Sequence, residues 1–286
     1  MIPYDRLHIY EIDGRIDEDE RAFAPEYIGI WWEGDHSFVF FSRASDDIVQ
    51  SILEDDPSLH LINRFTMDYR DWQGGDEIRS FRVGKLVFSP PWESVTPSKD
   101  DLSVTLDPSV VFGTGLHQTT RTCLNGLWTI YQQERPQRVM DLGTGTGVLA
   151  LACAKLGAQK ILAVDHNPLA VKTTIRNVRL NGEDRRIQVV EGKAEELIHE
   201  TADLICGNLP FAVIDQLLNG TALYEKRWMV LSGFFKGQEA SVTDRLKGRH
   251  VRVDVIPTHG PWRTVTGFNP LTDSFGSVRS SLRAPS

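Results

Sequence analysis

The sequence predicts an α/β protein, a mostly parallel, doubly wound sheet with a smaller α+β unit in front of it. Three observations carry this. From about residue 105, strand-like apolar runs alternate with amphipathic helical stretches, the order that builds a parallel sheet covered on both faces. One strand runs straight into a glycine-rich turn, Gly143-Thr-Gly145-Thr-Gly147, that opens a helix. The charge is also divided: residues 1–110 hold 10 Lys and Arg against 23 Asp and Glu, a net of −13, while 111–286 hold 21 against 16, a net of +5.

The elements follow in order. Residues 7–12, 27–32 and 37–42 are rich in aromatic and β-branched residues and read as strands. Residues 46–54 place Ile48, Ile52 and Leu53 on one helical face after Ser45. Residues 61–69 read as a strand, and 81–88 as another that ends at Ser89-Pro90-Pro91-Trp92. The polar stretch 96–101 marks a connection. In the second half, 138–142, 160–165, 187–191, 202–206 and 228–233 read as strands, with 251–256 and 263–267 as a closing pair. Helices are expected over 147–156 and 169–181, the latter stopped by Asn181-Gly182. The organisation expected is a small α+β domain over 1–65, a linker region over 66–104, a catalytic α/β domain over 105–272, and a polar, disordered tail over 273–286. Gly74-Gly75 and Pro90-Pro91 are the candidate hinges.

Composition bounds the function. With 41% apolar and 24% charged residues in 286, the chain suits a soluble globular protein. No stretch approaches the roughly 18 apolar residues of a membrane span. The start lacks a basic, then apolar, leader. Cys123, Cys153 and Cys206 have neither disulfide nor metal spacing, so no metal site is expected. These features point to a cytoplasmic protein. An acidic front repels nucleic acid and attracts a basic partner.

The glycine turn is the sharpest motif. A dinucleotide fold needs G-x-G-x-x-G, but Val148 stands sixth from Gly143, so that reading fails. What stands instead is Asp141, then G-x-G-x-G. A later strand ends at Asp165, whose carboxylate has the capacity to accept both hydroxyls of a ribose. The competing role there, capping the helix before Pro168, suits Asn167 better. A further strand ends Cys206-Gly207-Asn208-Leu209-Pro210, with an amide where open α/β sheets bind ligands. Upstream, Leu106-Asp-Pro-Ser-Val-Val-Phe112-Gly-Thr114-Gly-Leu-His117-Gln-Thr119-Thr120 reads as a polar loop folding over a ligand, with Thr119 or Thr120 as the cap of the following helix.

Together these strings resemble the methyltransferase family that modifies large-subunit ribosomal protein eleven. Its D-P-G-x-A-F-G-T-G-x-H-x-T-T loop is similar to residues 107–120 and its D-x-G-x-G-S/T-G turn to 141–147. Its acidic strand end is similar to Asp165, its A-N-I/L to Asn208-Leu209, and its L-S-G-I to Leu231-Ser232-Gly233-Phe234. Tyr69-Arg-Asp-Trp72, residues 86–92 and Trp262 extend the likeness over roughly 66–268. The resemblance implies a Rossmann-like, seven-stranded class I methyltransferase fold with S-adenosylmethionine as cofactor. It places Asn208, His117 and Phe112 at the catalytic end, and Thr114, Thr120, Asp141, Gly143, Gly145, Gly147, Asp165 and Asn208 around the cofactor. It makes the 1–65 domain the part that recognises substrate. Ser109 replaces the family's glycine, and Gly207-Asn208-Leu209-Pro210-Phe211 drifts toward the N-P-P-Y/F signature of amine methyltransferases.

The activity expected is N-methylation of lysine or other amino groups on a basic, ribosomal-type protein, without direct contact to nucleic acid or membrane. Phe112, Phe211 and Trp262 are candidates for an aromatic lining, and His117 for orienting the loop rather than acting as a base. The alternatives are transfer to another protein or a small amine, and a non-catalytic cofactor-binding module.

Overall fold

A computed structural model describes residues 4–17, 25–258 and 260–272. The expected tail, 273–286, lies outside the described residues. The front unit is built from β1 (Arg6–Asp13), β2 (Tyr27–Glu33), β3 (His36–Phe41), α1 (Asp46–Asp55) and β4 (His60–Asp68). Its four strands form an antiparallel sheet in the order β2-β3-β1-β4. Alternation gives the sheet two apolar faces. Tyr10, Ile12, Val39 and Phe41 pack under Val49 and Ile52 of α1, while Leu7, Ile9 and Phe40 point the other way.

Between the front unit and the large sheet, the expected linker is structured. The last residues of β4 enter a short helix, α2 (Tyr69–Trp72), so the strand expected to reach Tyr69 stops one residue earlier. The single strand expected over 81–88 is a hairpin, β5 (Phe81–Val83) and β6 (Leu86–Ser89), joined in parallel to β7 (Leu102–Thr105). Gly84 makes the difference. Its φ of 56° is left-handed, which turns the chain inside an apolar run. Val83, Leu86, Phe88 and Val104 are buried in the same core as the main sheet.

The remaining elements alternate as α3 (Gln118–Gln133), β8 (Arg138–Leu142), α4 (Val148–Leu156), β9 (Lys160–Asp165), α5 (Pro168–Leu180), β10 (Ile187–Glu191), α6 (Ala194–Leu197), β11 (Leu204–Asn208), α7 (Phe211–Asn219), β12 (Trp228–Phe235), α8 (Glu239–Gly248), β13 (Arg252–Pro257) and β14 (Trp262–Phe268). The sheet order is β10-β9-β8-β11-β12-β14-β13, with the first five strands parallel and β14 antiparallel to both neighbours. Chain direction across the sheet reverses beside β8, which opens a crevice above the carboxyl ends of β8, β9 and β11. Alternate residues of each strand feed opposite layers. Val139, Ile161 and Cys206 pack under α3 and α4, and Met140, Val164 and Ile205 pack toward α7 and α8. Among the described residues no helix is long and apolar enough to cross a membrane.

A third apolar cluster fixes the front unit against the crevice. Leu7, Ile9, Ile28 and Phe40 pack with Tyr69, Val110, Val111, Leu169 and Ala170. The Tyr69 hydroxyl donates to the Ser109 carbonyl at 2.6 Å, and the Trp72 indole N–H donates to the Val110 carbonyl at 3.0 Å. The candidate hinge glycines Gly74 and Gly75 therefore follow a segment that is already anchored. Leu169 is 1% exposed at the centre of this cluster. Leu169→Ala is expected to cost about 2–5 kcal/mol in urea unfolding, as a buried leucine does where the site cannot collapse. A loss below about 1 kcal/mol would mean that the cluster does not join the two units.

Candidate active site

The crevice begins with a strand that cannot continue. β8 delivers Gly143, Gly145 and Gly147, all left-handed at φ of 67°, 57° and 82°. A side chain on Gly145 would collide with the Phe112 carbonyl oxygen. That closeness is used. The Thr146 N–H donates to the Phe112 carbonyl at 3.0 Å, and its hydroxyl donates to the Gly113 carbonyl at 2.9 Å. The glycine turn and the 107–117 loop are thus stitched backbone to backbone. Ser109, where the related loops carry glycine, holds a left-handed φ of 47°. It is kept there by its N–H on Asp107 Oδ1 and by Tyr69 on its carbonyl.

The cavity above the turn measures about 640 Å³. It brings together Phe112, His117, Thr120, Gly143, Gly145, Asp165 and Asn208 of the residues expected at the site. Asp165, 8% exposed, faces the glycines: Oδ2 accepts the Gly145 N–H and Oδ1 the Asn167 N–H, each at 3.0 Å. Burial raises its pKa, and those N–H bonds pull the other way. Asn167 caps α5 through Leu169 N at 3.1 Å, as expected. Among the described residues, the Thr120 hydroxyl and the Asn167 side-chain amide nitrogen are both buried without a hydrogen-bond partner.

Three expected cofactor positions are placed elsewhere. Asp141 is fully buried beneath the turn, where Oδ2 accepts the Thr144 hydroxyl at 2.7 Å and the Ala150 N–H at 3.0 Å. It braces the turn and does not line the cavity, because β8 points it down into the core. Gly147 starts α4 and lies against Thr174. Thr114 lines the far side of the loop, and its hydroxyl accepts the Leu116 N–H. Phe211 also leaves the expected lining, packing with the α7 and α8 core as α7 begins. Cys206 is buried in β11.

The sequence reading missed two contributors. Thr119 lies between the two expected catalytic side chains: its hydroxyl accepts from the Asn208 amide at 2.8 Å and meets His117 Nδ1 at 2.6 Å. His117, rather than a threonine, caps α3, with Nδ1 accepting the Thr119 N–H at 3.3 Å. Since a backbone N–H only donates, Nδ1 is an acceptor and a neutral ring carries its proton on Nε2. Burial also holds the ring below the ordinary imidazole pKa. His117 is therefore built to orient, through Trp262 edge-on at 5.3 Å and Phe112 at 5.5 Å. The amide nitrogen of Asn208 is committed to Thr119, leaving its Oδ1 to the crevice. The second missed contributor is Trp31, which reaches the cavity from the front sheet.

A family model described as ribosomal protein L11 methyltransferase matches residues 31–269. The chain belongs to this family. Proteins named ribosomal protein L11 methyltransferase from Heliobacterium modesticaldum and Desulfitobacterium hafniense are 35% identical over 187 residues and 36% over 189. Each match spans 64% of this chain, and 58% and 59% of the relatives. The chain thus matches less than two thirds of their length. A crystal structure titled ribosomal protein L11 methylase, from Lactobacillus delbrueckii subsp. bulgaricus, is 27% identical with a TM-score of 0.59, over 67% of this chain and 98% of that one. The fold is the class I, Rossmann-like methyltransferase fold with an N-terminal α+β unit, as the family resemblance implied.

The buried Asp141 makes a pH prediction. Desolvation pushes its carboxyl up to about 6. A raised carboxyl stabilises the fold below the ordinary carboxylate range, and that contribution is lost as pH rises through about 6. Against Asp141→Asn, which cannot ionise, wild-type stability should fall by about 2 kcal/mol between pH 4 and pH 7. Urea unfolding at both pH values reads this. A constant difference would place the carboxyl at its ordinary value.

Proposed function

We propose that the chain is an S-adenosylmethionine-dependent N-methyltransferase acting on lysine or other amino groups of ribosomal protein L11. The single observation that supports it most is the strand-end carboxylate of Asp165 aimed into a glycine-walled crevice. The Gly145 and Asn167 N–H groups fall on different carboxylate oxygens, and each oxygen retains acceptor capacity for a ribose hydroxyl. The residues present fit the cofactor. Among the described residues, Thr120 and Asn167 offer buried polar atoms without partners, on a cavity whose wall includes Gly143, Gly145 and Gly233.

When bound, S-adenosylmethionine supplies an electrophilic methyl on a sulfonium whose thioether is a good leaving group. The chain has then to position and desolvate the amine. A lysine with pKa near 10.4 is neutral in only about one molecule in a thousand at pH 7.4. The aromatic rim of Phe112 and Trp262 favours the neutral form by excluding water. Asn208 Oδ1, held in place through Thr119, accepts a hydrogen from that amine and turns its lone pair toward the crevice. His117, protonated on Nε2, keeps the loop in place. A basic ribosomal protein suits the −13 charge of residues 1–110, and such a substrate implies work in the cytoplasm.

Incubation with labelled S-adenosylmethionine and ribosomal protein L11 tests the reading. A labelled protein band is expected; label on a small metabolite, or no transfer, contradicts it. In the same assay, Asp165→Ala should weaken cofactor binding at least about a hundred-fold by calorimetry, as two hydrogen bonds to a charged group imply. Unchanged affinity would refute the ribose assignment. Asn208→Ala should lower kcat by about a hundred-fold while cofactor affinity moves less than ten-fold; the reverse split would place Asn208 on the cofactor alone.

A further inference from the structure

The crevice has a neighbouring cavity. Val111, Phe112, Gly113 and His117 wall it on one side and line a second cavity of about 490 Å³ on the other, which continues to Trp72, Gly74 and Asp76. A third cavity, of about 640 Å³, lies on the open face of the front sheet among Phe38, Phe65, Met67 and Glu33. Trp31 lines all three. It is held there by the fold. β2 pairs Trp31 with Phe38 of β3, and the adjacent Gly29 leaves room for Leu169 of α5, where any side chain would collide. The front unit therefore contributes to the wall of the crevice as well as lying beside it.

We infer that Trp31 is a specificity-determining residue: it forms the front unit's wall of the methyl-accepting site, and its ring takes the alkylammonium chain of a lysine-type acceptor entering past Asp76. The inference rests on the amine-methylation reading above. An indole face attracts an ammonium through its quadrupole. The apolar stem of a lysine packs along the same ring while its charged head stays near solvent. Asp76 is exposed, lines the second cavity and adds a negative charge that draws a cation toward it. Further in, between Phe112, His117 and Trp262, water is displaced and the neutral amine is favoured.

The experiment uses the whole chain with S-adenosylmethionine and two acceptors, ribosomal protein L11 and N-α-acetyl-lysine. Trp31→Ala is expected to raise KM for both acceptors about ten-fold, with cofactor affinity by calorimetry within two-fold of wild type. Trp31→Phe, which keeps an aromatic face, should recover most of that loss. Asp76→Asn, a surface change that does not threaten folding, should raise KM for both about three-fold at low salt and much less at high salt. Unchanged KM in Trp31→Ala, or in Asp76→Asn at low salt, overturns the inference. So does a loss of cofactor affinity in Trp31→Ala at constant acceptor KM, which would make Trp31 a cofactor wall. A rise in KM for L11 alone, with N-α-acetyl-lysine unaffected, also overturns it, because the ring would then serve protein docking. Absence of transfer by the wild-type chain is a different result: it contradicts the proposed function itself.

Discussion

The carboxylate of Asp165 is held at the edge of a low-dielectric crevice by two backbone N–H groups, and the geometry of the site follows from that hold. One N–H belongs to Gly145, in the turn after β8, and the other to Asn167, at the start of α5. The carboxylate thus ties adjacent strand ends together. It also retains acceptor capacity toward the crevice for a ligand. Burial raises the cost of its charge, and the N–H groups offset part of that cost. Such a group gains from any bound molecule that brings hydroxyl donors to it.

The second constraint is steric. Gly145 adopts a backbone conformation that favours glycine and lies directly against the Phe112 carbonyl, so the glycine turn and the 107–117 loop move as one piece. The loop carries Phe112 and His117 to the crevice, and through Ser109 and Val110 it is hydrogen-bonded to Tyr69 and Trp72 beside the front unit. A local rule of backbone geometry therefore couples the cofactor end of the site to the unit expected to meet the substrate. Gly233 plays a similar part on β12, where a side chain would strike the Leu209 backbone beside Asn208.

Much of this was legible because it is local. A strand, a glycine turn and a helix in sequence place Gly143, Gly145 and Asp165 at strand ends without any knowledge of distant contacts. The alternation after residue 105 likewise anticipates the parallel sheet. The failures have physical reasons. Asp141 belongs to the same motif as the glycines, but motif membership does not say which way a strand residue points, and burial turned it inward. Thr114 and Thr120 sit six residues apart in one string, yet the loop separates them onto opposite sides. Gly84 was hidden inside an apolar run that reads as strand interior. Trp31 had no signal at all near the site in sequence, because it arrives across the β2 and α5 packing. The hydrogen-bonded series Asn208, Thr119 and His117 needed the fold, since Asn208 and Thr119 lie 89 residues apart.

A crystal structure of this chain with S-adenosylhomocysteine would test the central claim most directly. The account predicts both ribose hydroxyls within about 3 Å of the two Asp165 carboxylate oxygens, with the Thr120 hydroxyl newly partnered. A nucleoside seated elsewhere, or a ribose whose hydroxyls point to solvent while Asp165 keeps only its backbone partners, would contradict it.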